Sequence, residues 1–190
     1  MPVYAITTAR PGDLPLLPSI ELAAATLLAG HAPQSVLTET TSLDVLTHAQ
    51  RDGRLWVARA DEIPVGFAHV ELLEATVAHL EEIDVHPDYG RRGLGRRLVQ
   101  AVCAWAATAG HQSVTLTTFR DLPWNRPFYE RLGFEVIAPE HLSPALRSVV
   151  QSETRRGLDP TRRVAMRRRC DVRPAGVPRL SRAILTDRYK

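Results

Sequence analysis

Three glycines and four arginines crowd one short stretch, Gly90-Arg91-Arg92-Gly93-Leu94-Gly95-Arg96-Arg97. Glycine lets backbone approach a ligand closely, and the first N–H groups of a helix have no partner within it. If a helix starts here, those N–H groups, its positive end and the arginines converge on one anion, and a pyrophosphate suits them. Each charge-assisted contact would contribute about 1.5–3 kcal/mol. The plainer alternative is a tight strand-to-helix turn with solvated arginines. Two common phosphate loops are excluded, because the stretch has neither Gly-Lys-Ser/Thr nor the G-x-G-x-x-G that opens a dinucleotide fold.

The flanking residues supply the elements that such a turn needs. Leu80, Ile83 and Val85 form an apolar run without strict alternation, as in a largely buried strand, and Pro87-Asp88 ends it near His86. From Leu94 the apolar positions Leu94, Leu98, Val102, Trp105 and Ala109 stripe one helical face, and Gly110 suits a left-handed cap. Ser113 to Phe119 alternates as a returning strand, so the unit is β-α-β and the two strands should be parallel.

The rest of the chain reads as alternating short elements. A strand at Val3–Thr7 precedes a nearly all-apolar helix at Ile20–Ala29, expected to be well buried and ended by His31-Ala32-Pro33. A second helix runs from a Thr41 or Ser42 cap to about Gln50. Leu55–Ala60 and Val65–Leu73 make a hairpin through Asp61-Glu62-Ile63-Pro64. After the β-α-β unit, Asn125 is placed to cap a short helix that Gly133 ends, with Trp124 and Phe128 read as core. Phe134–Ile137 and Arg163–Arg167 are the last strands, around a helix within Ser143–Arg156.

Length and composition set the class. A chain of 190 residues suits one domain that buries about 70% of its unfolded surface. The net charge of +3 is too mild to argue for nucleic acid, no apolar run reaches a membrane span, and no signal peptide is apparent, so a cytoplasmic protein is expected. Cys103 and Cys170 show no metal-like spacing, and no metal is expected. Residues 169–190 are basic and read as a flexible tail, beyond a domain spanning 1–168.

Val85-His86-Pro87-Asp88-Tyr89-Gly90-Arg91-Arg92-Gly93-Leu94-Gly95 resembles the coenzyme A loop of the GNAT superfamily of N-acetyltransferases, V-x-P-x-[YFW]-[RQ]-x-x-G-x-G/A. It departs at Gly90, where the family has arginine or glutamine, with Arg91 one place late. Tyr129-Glu130-Arg131-Leu132-Gly133-Phe134 resembles the second signature, Y-x-x-x-G-F, and the element order agrees. The resemblance implies an α/β (α+β) fold, a mixed central sheet splayed at the coenzyme A cleft and flanked by helices.

It further implies acetyl transfer from acetyl-coenzyme A to the amine of a small molecule or peptide by direct attack. Val85, Gly90, Arg91, Arg92, Gly93, Leu94, Gly95 and Arg96 would bind the coenzyme, with Asn125 a helix cap first and a coenzyme contact second. An alkyl amine needs a base at neutral pH, since freeing its lone pair costs about 4–5 kcal/mol. Glu81 is the first candidate, Glu82 the second and His79 a third; on a regular strand only one of the glutamates would see substrate. Tyr129 resembles the family's proton donor to the leaving thiolate, or else is a core tyrosine. The rival reading is a coenzyme A-binding regulatory module without turnover. A homodimer is left open, and a nucleic-acid partner is disfavoured because the tail lacks interleaved aromatics.

Overall fold

The computed structural model describes residues 2–171. Strand β1 (Tyr4–Thr8) leads through a 3-10 turn into helix α1 (Leu17–Ala25), the short α2 (Gln34–Thr38) and α3 (Leu43–Arg51). Strands β2 (Leu55–Ala60), β3 (Ile63–Glu74) and β4 (Val77–Val85) follow as a meander, then α4 (Leu94–Thr108) and β5 (Ser113–Phe119). Helix α5 (Arg126–Glu130), β6 (Glu135–Val136), α6 (Pro144–Arg155) and β7 (Arg163–Arg169) complete the described chain. One seven-stranded sheet has the order β1-β2-β3-β4-β5-β7-β6. Only β4 and β5 pair in parallel, as the crossover through α4 requires.

Helices cover both faces of the sheet. Leu94, Leu98, Val99, Val102 and Ala106 of α4 bury against Ala68, Val70, Ala78 and Leu80. On the other face, Leu17 and Ile20 of α1 and Leu46 and Ala49 of α3 bury against Leu55, Val57 and Phe67. Ser42 caps α3, its Oγ accepting from the Val45 N–H at 3.3 Å. Among the described residues no helix is long and apolar enough to cross a membrane.

Several local expectations change. Helix α1 ends at Ala25 and is buried along one stripe, not all round: Leu22 is 41% exposed, Leu27 in the 3-10 turn that follows is 54% exposed, and Pro33 starts α2 rather than simply ending the preceding helix. The β2–β3 turn is only Asp61-Glu62, with Asp61 at φ 53°, and a register shift at Ala58/Arg59 accommodates Pro64 inside β3. The strand after α5 shrinks to two residues, while β7 runs through Arg169. From residue 172 onward, the expected flexible tail lies outside the described residues.

Candidate active site

The parallel ladder is short. It comprises Val77↔Ser113, Ala78↔Val114 and His79↔Thr115, and beyond His79 the two strands separate. Among the described residues, β4 pairs only with β3 from Leu80 to Val85, so its other edge offers N–H and C=O groups inside a cleft. His79 marks the fork. Its Nδ1 lies 2.9 Å from Thr115 Oγ1, and burial pushes the imidazole down to about 4, so it stays neutral near pH 7.

At the end of β4 the glycine-arginine turn opens α4. Gly93 is left-handed at φ 77° and stands just before Leu94, so the N–H groups of Leu94, Gly95 and Arg96 start the helix without helical partners. The second left-handed residue is Arg91, at φ 60°. Gly90 has ordinary φ, and a Cβ there would meet the Pro87 carbonyl at 3.1 Å. The arginines divide. Arg92 donates to the Asp88 carbonyl and lies over the Tyr89 ring, and Arg97 donates to the Tyr4 carbonyl at 3.0 Å. Arg91 and Arg96 are exposed, and their side chains make no hydrogen bond or ion pair among the described residues.

On the far side of β4 the carboxylates gather. Val70 pairs with Leu80 but His69 pairs with Glu82, so Glu81 is the extra residue of a β-bulge. Leu80 and Ile83 both pack on the α4 core, and the two glutamates between them face the opposite side. The expectation that only one glutamate sees the cleft is therefore corrected: Glu81 and Glu82 both line a cavity of about 410 Å³, with Glu21, Glu39 and Glu71. Among the described residues Arg156 is the one arginine lining it, and it is held by Glu39 at 2.5 Å.

These acids are not equivalent. Glu81 keeps 43% of its side chain exposed, with Oε2 3.6 Å from His79 Nε2; burial, then the charges of Glu153 and Glu71, raises its pKa. Glu82 is more enclosed. Burial, then the charge of Glu21, pushes it up to about 7, although its Oε1 accepts from the Ile83 N–H at 3.2 Å. Glu21, on α1, accepts from the Thr41 N–H at 2.9 Å and was not anticipated as a site residue.

A raised carboxylate means that the folded chain holds its proton more tightly than the unfolded chain does. The stability that Glu82 contributes is thus full below about 4.5 and lost as pH rises through about 7. Glu82→Gln should flatten the fall in Tm over that window, as measured by calorimetry across pH; an unchanged slope would place the proton elsewhere.

Tyr129 stands across the fork from β4. Its ring is buried edge-on against Phe128 at 5.1 Å and Phe134 at 5.8 Å, and its hydroxyl has no hydrogen-bond partner among the described residues. Burial, then the charges of Glu82 and Asp84, raises its pKa, so the phenol stays protonated. Asn125 occupies the capping position just before α5, where its carbonyl accepts from the Phe128 N–H at 2.9 Å. Its side chain makes no cap, which corrects that expectation and leaves the amide free. Trp124 is 49% exposed, edge-on to His31, rather than core, whereas Phe128 does pack on the α4 core.

Residues 24–134, more than half of the chain, match the family described as Acetyltransferase (GNAT). The chain belongs to the GNAT acetyltransferase family. A glucosamine 6-phosphate N-acetyltransferase of Trypanosoma brucei brucei is 36% identical over 58 residues, 30% of this chain and 37% of that protein. An aminoglycoside N(6')-acetyltransferase type 1 of Salmonella typhimurium is 27% identical over 88 residues, 42% of this chain and 61% of that protein. The aligned stretches therefore span less than two thirds of these curated relatives.

Among solved structures, the PaiA N-acetyltransferase of Thermoplasma acidophilum, in complex with coenzyme A, superposes with a TM-score of 0.66 at 18% identity. That match covers 88% of this chain and 99% of the other. The ribosomal-protein-S18-alanine N-acetyltransferase of Escherichia coli gives 0.62 at 19%, covering 93% and 99%. At such identities these neighbours establish a shared GNAT fold, with its splayed mixed sheet.

This GNAT chain's residues fit coenzyme A on their own geometry. The turn holds no carboxylate from Tyr89 to Arg97, two of its arginines are uncommitted, and the free β4 edge leads from it toward the acids. Gly95 is packed closely enough that a Cβ would stand 3.7 Å from Phe128 Cζ. Gly93→Asp and Gly95→Asp, each adding a negative charge at this helix start, should raise the KM for acetyl-coenzyme A at least about tenfold. Steady-state kinetics of both variants test this, and unchanged KM values would reduce the glycines to turn formers.

Proposed function

We propose that this chain is an acetyl-coenzyme A-dependent N-acetyltransferase acting on a cationic amine. The observation that carries this reading is the fork at His79, whose free β4 edge runs between an arginine-lined helix start and a five-carboxylate cleft. Arg91, Arg96 and the first N–H groups of α4 bind the pyrophosphate, and the edge from Leu80 to Val85 aligns the pantetheine arm. The bound coenzyme supplies an activated thioester acetyl group. Holding that group beside an amine removes much of the entropic cost of the encounter.

Glu82 takes the proton from the attacking amine, and Tyr129 gives one to the departing sulphur. A carboxyl poised at about 7 is half ionised where the enzyme works, which suits a base better than an ordinary carboxylate does. Glu81 and Glu39 attract the cation. The named relatives act on amino sugars, one phosphorylated and one not. With its one described arginine already paired, this cleft repels a phosphate and favours a polycationic, aminoglycoside-like acceptor.

An acetylation screen against amino sugars, polyamines, amino acids and peptides, read by thiol release, tests the proposal, alongside the Tm shift that acetyl-coenzyme A produces. Turnover with cationic amines is expected. A Tm shift without turnover on any amine would favour a coenzyme A-sensing module, and neither response would overturn both readings.

A further inference from the structure

Strand β4 carries a third acid, Asp84, that the mechanism above leaves unused. Its register partner is Phe67, as that of Glu82 is His69, so both carboxyls project to the side of α1 and α3. Asp84 Oδ2 is buried and receives no hydrogen bond among the described residues. Its carboxyl nevertheless lies within hydrogen-bonding reach of that of Glu82. Two carboxyl groups can share a hydrogen bond only if one of them carries a proton.

The surroundings decide which one. Glu82 Oε1 already accepts the Ile83 N–H, and the charge of Arg163, from β7, reaches Glu82; both favour its ionised form. Asp84 faces Glu82 from its own strand and Glu21 from α1, and among the described residues no cation counters them there. Tyr129, from α5, is near enough to feel both acids and is itself neutral.

We propose that Asp84 is a positioning residue, a neutral carboxylic acid at working pH whose O–H donates to Glu82 and holds that carboxylate toward the cleft. The inference rests on Glu82 as the base. In the step, the ammonium N–H bond breaks and a Glu82 O–H bond forms, while Asp84 keeps its own proton throughout; solvent then takes the extra proton from Glu82. Burial, with the charges of Glu82 and Glu21, holds the Asp84 pKa well above the usual carboxylate range, in the direction this role needs.

Two measurements test it. Carboxyl-carbon NMR of the free protein should show Asp84 still protonated at about pH 7, and Glu82→Gln should lower its apparent pKa by at least about one unit. In the pH profile of kcat/KM, Asp84→Asn, a neutral donor, should leave the acid limb in place. Asp84→Ala, which has no donor, should move that limb up by about one pH unit.

Asp84 titrating near about 4 in the wild-type protein would overturn the inference whatever the activity. So would an acid limb that falls in Asp84→Asn, which would mean that a charge had been removed, or one that Asp84→Ala leaves unmoved. If the screen finds no acceptor while the NMR titration behaves as expected, the acetyltransferase reading fails and the proton-sharing pair stands. If a variant fails to fold, the wild-type titration alone decides.

Discussion

Tyr129→Phe should lower kcat by about 10²–10⁴-fold while leaving the KM for acetyl-coenzyme A nearly unchanged. The substitution keeps the ring in its edge contacts with Phe128 and Phe134. It removes only a hydroxyl that no described residue bonds, so no buried donor or acceptor is orphaned and Tm should move little. Lost turnover with intact binding and folding is the pattern of a group that acts in the transition state alone. Burial and the neighbouring acids keep the phenol protonated across the working range, so under the proposed mechanism a proton donor is present near neutral pH where Glu82 begins to ionise. Single-turnover measurements separate chemistry from product release. Full kcat in the variant, where chemistry limits the rate, would make the tyrosine structural.

The strand-turn-helix unit was legible because each of its signals is local. Apolar spacing from Leu94 to Trp105, a left-handed Gly110 and a Pro87 stop depend on near neighbours, and the structure has all three. The Ser42 cap was legible for the same reason. The acidic site was harder to read, because its geometry arises from a break in periodicity. Period-two reasoning sends Glu81 and Glu82 to opposite faces, and the bulge reverses that. The clue was the three-residue step from Leu80 to Ile83, which a regular strand with one buried face does not allow.

Glu21 was missed because it reaches Glu82 from a helix distant in sequence. It is nonetheless the only Asp, Glu, Lys or Arg between Leu14 and Thr38, and a lone charge in an apolar helix needs a reason. Asp84 carries no local signal in the sequence. Only the register places it on the same face as Glu82. Trp124 was misread because aromatic content alone does not separate core from rim, and here the ring sits in a loop against His31.

The choice between the two glutamates yields the sharpest kinetic expectation. Glu82→Gln should cost about 10²-fold in kcat near neutral pH, because the acceptor amine then keeps its proton. Raising the pH toward the amine's own value, about 10.4 for a lysine-like group, should restore much of that rate without any help from the protein. Glu81→Gln should behave differently. With 43% of its side chain exposed and a place on the same cavity, it loses part of the attraction for a cationic acceptor. KM for that acceptor should therefore rise by about two- to tenfold, more at low salt than at high salt, with little change in the shape of the pH profile. His79 is the weaker candidate base, since burial holds it at about 4 and its Nδ1 is engaged with Thr115. Profiles of kcat and of acceptor KM across pH for the two variants distinguish these roles. A pH-dependent loss in Glu81→Gln with none in Glu82→Gln would move the base one residue back along β4, to the bulge itself.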